Sequence, residues 1–394
     1  MDNFTFCSPT LFVFGRDQEN NAGKYVKQFG GTKVLLHYGG SSAEKSGLLG
    51  RVENSLKREG ISWVKLGGVQ PNPKSPLIYE GIELCKKEGV DFILAVGGGS
   101  VIDSAKAIGL GVVYEGDIWE LYSKQAAPAA SLPVGTVLTI AAAGSEGSNG
   151  SVVSFQREDG VYKRDCGGEF MRPKFSILNP ALTQTLPPYQ TACGIVDIMC
   201  HVHERYFTNT EHVEITDQLC EGVLRTLIKE GPKVMKDPND YEARANIMWA
   251  GTMAHNDICG VGREQDWASH NLEHELSGLY NCAHGAGLAV IMPAWMDYVM
   301  KHDIKRFARY AVNVWGCEKE ENPANTARAG IAALRKFWKS LGMPLNFQQL
   351  GAREEDIPLL LNYLQIEGRT EGHFVKLGTE DCRAIYQLAA DYPG

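Results

Sequence analysis

Residues 95–109, AVGGGSVIDSAKAIG, constrain the fold more than any other stretch of this chain. The apolar run DFILAV (91–96) ends in three consecutive glycines, and Ser100 then opens a helix. A buried strand that turns tightly into a helix is half of a crossover unit, and crossover units build parallel sheets. The start of such a helix has unpaired backbone N–H groups and the positive end of the dipole, so the turn suits a phosphate. It does not match G-x-G-x-x-G, because Ile102 stands where the last glycine belongs, and no G-K-[ST] follows to make a P-loop. A tight strand-to-helix turn without a ligand is the competing reading.

The same alternation runs through the first half of the chain. KVLLHY (33–38), ISWVKL (61–66), VGTVLTIA (134–141) and FSIL (175–178) read as strands, with helices expected over 43–60 and 76–88. After LNPALTQTLPP the pattern changes to long amphipathic helices, expected over 189–208, 211–230 and 240–256. The expected organisation is an α/β dinucleotide-binding domain over residues 1–181 and an all-α domain over residues 182–394.

Composition narrows the function. Lys and Arg number 39 against 47 Asp and Glu, a net charge of −8 that argues against a nucleic-acid surface. No run of 18 apolar residues is present, so no membrane span is expected. The opening MDNFTFCSPTLFVFG has no basic leader before an apolar stretch, and the ten cysteines are scattered without a CxxC pair. These features point to a cytoplasmic protein with free thiols and no zinc ribbon.

Two groups of residues carry chemistry. Gly39, Gly40, Ser41 and Ser42 follow the strand KVLLHY, where a dinucleotide fold that prefers NAD places a carboxylate against the ribose 2′-hydroxyl. Glycine, serine and the nearby Lys45 would instead accept a 2′-phosphate, which leans towards NADP. The second group contains Asp197 and His201, four residues apart on one helical face, and His270, His274 and His284. His203 points to another face. Imidazoles with a carboxylate suit Fe²⁺ or Zn²⁺. Capping or core histidines are the plain alternative. A rival signature overlaps, since His270, Glu273 and His274 spell H-x-x-E-H, the inverted zinc-peptidase motif.

Taken together, YGGSS, PNP (71–73), GGGSVIDSAK, GSE (144–146), LNPALTQTLPP, GIVDIMCHVHE, DWASHNLEHEL and AHGAGLA resemble the iron-containing (group III) alcohol dehydrogenases, in particular the NADP-dependent butanol-dehydrogenase-like branch. The likeness covers nearly the whole chain. It implies a dehydroquinate-synthase-like fold, with a dinucleotide-binding α/β domain and an all-helical metal-binding domain. The metal ligands implied are Asp197, His201, His270 and His284. Gly98, Gly99 and Ser100 would hold the pyrophosphate, Asp103 would lie near the nicotinamide amide, and Thr139 and Lys163 would contact the cofactor. Asn179 departs from the aspartate usual at that position, and TIAAAGSEGSNG lacks the proline and threonine common in that loop.

The activity implied is hydride transfer between NADP(H) and a small alcohol or aldehyde such as butanal, assisted by one divalent ion, with His274 as a proton relay or a cleft-lining residue. Reduction of the aldehyde is the expected direction, and a cytoplasmic homodimer the expected form. The competing classes are a lyase like dehydroquinate synthase, which would carry a glutamate ligand, and the H-x-x-E-H metallopeptidase.

Overall fold

The computed structural model describes residues 1–158 and 160–393. They form two units: Cys7–Thr185, and Met1–Phe6 together with Leu186–Gly394.

The first unit is α/β. Its strands are β1 (Leu11–Phe14), β2 (Lys33–Tyr38), β3 (Ser62–Leu66), β4 (Phe92–Gly97), β5 (Val134–Leu138), β6 (Gly150–Arg157), β7 (Gly160–Gly167) and β8 (Phe175–Leu178). Its helices are α1 (Ala22–Gln28), α2 (Ser42–Lys45), α3 (Leu48–Arg58), α4 (Ser75–Glu88), α5 (Gly99–Val113) and α6 (Ile118–Tyr122). Six strands make one sheet in the order β1-β8-β5-β4-β2-β3, every pairing parallel. All six residues of β4 are buried, as expected of a central strand covered on both faces. Phe92, Leu94 and Val96 pack with Val34, Leu36, Phe175 and Ile177 in one apolar cluster.

Strand order sets where a ligand can sit. The chain moves outward from β2 to β3, then returns to lay β4 on the other side of β2. Tyr38 pairs with Val96, and Gly97 with Leu138, so the segments leaving β2, β4 and β5 emerge side by side. This is the topological switch point at which open parallel sheets bind ligands.

The predicted strands at 33–38, 61–66, 91–96 and 175–178 are all present, and the one at 134–141 ends at Leu138. The helix expected over 43–60 is broken: Gly47 has φ +71°, which closes α2 and opens α3. The antiparallel hairpin β6–β7 was not anticipated. The domain expectation also differs at both edges, because residues 1–6 pack with the helical unit and the division falls after Thr185.

The second unit contains α7 (Pro188–Tyr206), α8 (Glu214–Lys236), α9 (Tyr241–His255), α10 (Ala268–Tyr280), α11 (His284–Val299), α12 (Ile304–Trp315), α13 (Pro323–Ser340), α14 (Phe347–Leu350), α15 (Ile357–Leu364) and α16 (Thr379–Asp391). Helix α8 starts later than expected and continues through Pro232 to Lys236. Phe207, Trp295, Phe307 and Tyr310 pack ring against ring inside this unit. Among the described residues the only extended pairing here is one bridge between Glu371 and Leu377, and no helix is long and apolar enough to cross a membrane.

Candidate metal centre and cofactor loops

In the α/β unit the two glycine segments meet as their strands require. Gly97 and Gly98 have no room for a side chain: a Cβ would fall 2.4 Å from Val101 Cγ2 at Gly97 and 2.0 Å from Ile140 Cγ2 at Gly98. Gly98 precedes the first turn of α5 with no side-chain cap, and Gly98, Gly99 and Ser100 are partly exposed. The first N–H groups of a 15-residue helix are therefore uncapped by a side chain, an arrangement that suits an anion. A Cβ on Gly39 would approach Val101 Cγ2 to 3.7 Å, so the segment after β2 lies beside that turn. Gly40, Ser41 and Ser42 are exposed. The carboxylate nearest in sequence, Glu44, accepts a hydrogen bond from the Tyr38 hydroxyl (3.2 Å). Thr139, just past β5, donates its N–H to Gly97 O (3.0 Å) and is half-buried.

Asp103 is tied to the loop that follows β5. Ser145 Oγ donates to its Oδ1 (2.6 Å), and Val152 N–H to its Oδ2 (3.0 Å). Burial pushes its carboxyl up, against the pull of Lys106, these hydrogen bonds and Lys163. A carboxylate has about four lone-pair sites, so further donors can still be accepted. Lys163 lies on β7 opposite Ser154 and is buried.

Lys106, which the sequence reading missed, holds the same loop. Its fully buried Nζ donates to Ser145 O (2.7 Å), Gly150 O (2.8 Å) and Ser148 O (3.0 Å). The i,i+3 spacing from Asp103 was the available signal.

The helical unit brings together the four expected metal ligands. Helix α7 carries Asp197 and His201, α10 carries His270, and His284 is the first residue of α11. Asp197, His201 and His270 are buried and offer donor atoms within 4.8 Å of one another. Asp197 Oδ1 lies 3.3 Å from His201 Nε2 and 3.8 Å from His284 Nε2. Donors about 2.1 Å from a tetrahedral ion stand about 3.4 Å apart, so these spacings fit one ion. Both ring nitrogens of His201, and His270 Nε2, are buried without a hydrogen-bond partner among the described residues. Such atoms are costly in a protein interior unless something else satisfies them, and a divalent cation would. Burial, with the His255 and His270 rings adding to it, pulls the pKa of His201 far down and keeps the ring in the neutral form that metals bind.

Two glycines let α11 approach closely enough to deliver His284. A Cβ on Gly285 would fall 2.0 Å from Cys193 O on α7, and one on Gly287 would fall 2.4 Å from Glu273 Oε1 on α10. His284 is the most exposed of the four, with 23% of its side chain accessible. His274, half-buried, has its ring centroid 5.6 Å from that of His284. His203 points away, as predicted, and bonds the Tyr310 hydroxyl (3.0 Å).

Around the ligands are residues the sequence reading passed over. Glu204 accepts from His270 Nδ1 (2.9 Å), from the His270 N–H (3.1 Å) and from the Ser269 hydroxyl. Burial pushes its carboxyl up, and these bonds outweigh that and hold it below the usual range. Glu204 follows His201 by three residues, on the face that already carries Asp197, so helical spacing could have found it. Trp267 takes φ +110° and packs its ring against His201 and His270, while the Arg205 guanidinium lies 4.7 Å from the indole centroid. Arg205 also donates to His255 Nδ1 (2.9 Å), whose ring packs 4.2 Å from His201.

The H-x-x-E-H reading fails on this geometry. Glu273 is fully buried and hydrogen-bonded to His284 Nδ1, so it is not placed to activate a water as a peptidase base would.

Comparison with known proteins agrees. Residues 9–180 match the family model for iron-containing alcohol dehydrogenase, and residues 191–390 match the C-terminal model of the Fe-containing alcohol dehydrogenase family. The chain belongs to the iron-containing alcohol dehydrogenase family. The family's NADH-dependent butanol dehydrogenase A of Clostridium acetobutylicum is 38% identical, over 98% of this chain and 99% of its own. The NADPH-dependent aldehyde reductase YqhD of Escherichia coli is 37% identical, over 99% of this chain and all of its own. The solved structure of an NADH-dependent butanol dehydrogenase A from Thermotoga maritima superposes with a TM-score of 0.95 at 40% identity, covering 99% of both chains. The α/β and helical architecture expected from the sequence is present, and membership of the alcohol dehydrogenase family sets aside the lyase and peptidase alternatives.

Proposed function

We propose that this alcohol and aldehyde oxidoreductase reduces small aldehydes such as butanal with NADPH, and that Asp197, His201, His270 and His284 hold one divalent ion for the reaction. The activity class comes with the family; the cofactor preference, direction and ligand roles are our reading. The observation that carries it is the clustering of His201 and His270, with unpartnered ring nitrogens, around the buried Asp197, and the approach of His284 Nε2 to 3.8 Å from Asp197 Oδ1. Three nitrogens and one oxygen suit Fe²⁺ and Zn²⁺ alike. The ion, when bound, supplies Lewis-acid polarisation of the carbonyl oxygen.

The chain's own residues do the rest. Gly98, Gly99 and Ser100 present the N-terminal amides of α5 to the pyrophosphate, and Asp103, Thr139 and Lys163 line the loops beside them. Gly39 to Ser42 offer N–H groups and hydroxyls to a 2′-phosphate, and Glu44 is drawn aside by Tyr38. His274, half-buried beside His284, relays a proton between the substrate oxygen and solvent. A cytoplasmic homodimer completes this reading.

Relatives of both cofactor preferences are about equally similar, so the test is direct. Butanal reduction is followed with NADPH and with NADH. A higher kcat/KM with NADPH supports the proposal; an NADH preference overturns its cofactor part, and no turnover with either overturns the aldehyde reading.

A further inference from the structure

His270 and His284 arrive from different helices, yet each has its Nδ1 on a buried carboxylate: Glu204 Oε1 at 2.9 Å for His270, and Glu273 Oε2 for His284. A carboxylate can only accept, and a neutral imidazole has one N–H. The proton of each ring is thereby held at Nδ1, and the lone pair is left on Nε2. His284 Nε2 lies 3.8 Å from Asp197 Oδ1, His270 offers a donor atom within 4.8 Å of the Asp197 carboxylate, and its Nε2 has no hydrogen-bond partner among the described residues. His201 differs, because neither of its ring nitrogens has a hydrogen-bond partner among the described residues.

The two carboxylates are themselves fixed. Glu204 also accepts from the N–H groups of Trp267 (2.5 Å) and His270 (3.1 Å) and from the Ser269 hydroxyl, so it organises the turn that starts α10. Glu273 is confined by Gly287, where even a methyl group would fall 2.4 Å from its Oε1.

We propose that Glu204 and Glu273 are positioning residues that set the tautomer and ring orientation of His270 and His284 before any ion binds, and so determine metal affinity. The inference rests on the ligand assignment proposed above. These bonds hold two of the three imidazoles with the lone pair on Nε2, so less ordering remains to be done on binding. The negative charge behind each ring also makes Nε2 a stronger donor.

Two measurements test it. Ring-nitrogen NMR of metal-free protein labelled with ¹⁵N-histidine should show His270 and His284 in the Nδ1–H tautomer; an Nε2–H tautomer at either overturns the proposal for that pair. Competition of Zn²⁺ against a chromophoric chelator should show Glu204→Gln and Glu273→Gln each binding about 10–100-fold more weakly than the unaltered protein. Should a variant fail to fold by near-UV circular dichroism, the NMR result on the unaltered protein decides. Unchanged affinity in both variants, with His201→Ala losing Zn²⁺, overturns the positioning role and leaves the ligand assignment standing. Unchanged affinity in His201→Ala overturns the ligand assignment itself.

Discussion

Glu273 and Gly287 approach so closely that a Cβ on the glycine would lie 2.4 Å from the Glu273 Oε1 atom. The contact seats α11 on α10, and the bond from His284 Nδ1 to the other carboxylate oxygen starts from the same place. Replacing a glycine within a helix by alanine ordinarily stabilises by about 0.8–1.0 kcal/mol. Overpacking here should cost about 1–3 kcal/mol and reverse that sign. Gly287→Ala is therefore expected to unfold at lower urea concentration and to bind Zn²⁺ more weakly. A variant more stable than the parent, with unaltered Zn²⁺ affinity, would show that Glu273 can move freely.

His270 and His274 stand one turn apart on α10, with ring centroids 6.5 Å apart. His270→Ala is expected to purify with little metal and to show almost no turnover, because it removes a donor. His274→Ala is expected to keep its metal, lose rate and show a changed pH–rate profile. Metal analysis of both variants checks the assignment, which must be exchanged if His274→Ala is the one that loses the ion. Dialysis against a chelator should likewise abolish turnover, with Fe²⁺ or Zn²⁺ restoring part of it.

Gly39→Asp is expected to move cofactor preference towards NADH. The position has open surroundings, its nearest contacts for a Cβ being Val69 O at 3.6 Å and Val101 Cγ2 at 3.7 Å, so the fold should accept the side chain. The new carboxylate would repel a 2′-phosphate and accept from a 2′-hydroxyl. The ratio of kcat/KM values for NADPH and NADH is the readout; a ratio that does not fall would mean the phosphate lies elsewhere.

His37, buried on β2, donates from Nδ1 to Leu66 O (2.8 Å) and accepts at Nε2 from the Ser104 hydroxyl (2.8 Å). Burial lowers its pKa from 6.5 to about 4, the bond to Leu66 opposing that in part. The unfolded chain therefore takes up a proton between pH 6.5 and 4 that the folded chain refuses, and stability is lost as pH falls through that window. Between pH 7 and pH 5 this one residue should cost about 2 kcal/mol. Urea titrations of the parent and His37→Gln at both pH values give the comparison. An equal loss in the two proteins would mean that His37 is protonated in the folded state.

The residues proposed as metal ligands stood out because their spacing matches the family resembled, and the parallel strands were legible because each is a short apolar run between turns. What was missed depends on local breaks and on partners distant in sequence. The periodicity over 43–60 runs through Gly47 without interruption, and only its left-handed conformation separates α2 from α3. The hairpin of β6 and β7 lies in a stretch, between the expected strands at 134–141 and 175–178, to which the sequence reading assigned no element. Glu204 lies within reach of helical spacing on α7, whereas its partners Trp267, Ser269 and His270 come from a segment more than sixty residues away. Glu273 entered only through the rival H-x-x-E-H reading, because a short motif contains no information about His284, which bonds to it from α11.

The first six residues give the chain a closed topology. Asp2 N–H donates to Gly262 O (2.9 Å), and the Thr210 hydroxyl to Asp2 Oδ2 (2.7 Å), anchoring the segment in the helical unit before the chain departs to build residues 7–185 and returns at Leu186. While the helical unit remains folded, the α/β segment is pinned at both ends, and even when melted it is a ring of chain with no free end. Closing a ring removes conformational entropy that grows with the logarithm of its length. The α/β unit is thus stabilised from outside its own contacts, by restricting the states to which it can unfold. Removing the hexapeptide opens that ring and weakens the unit without touching any side chain in it.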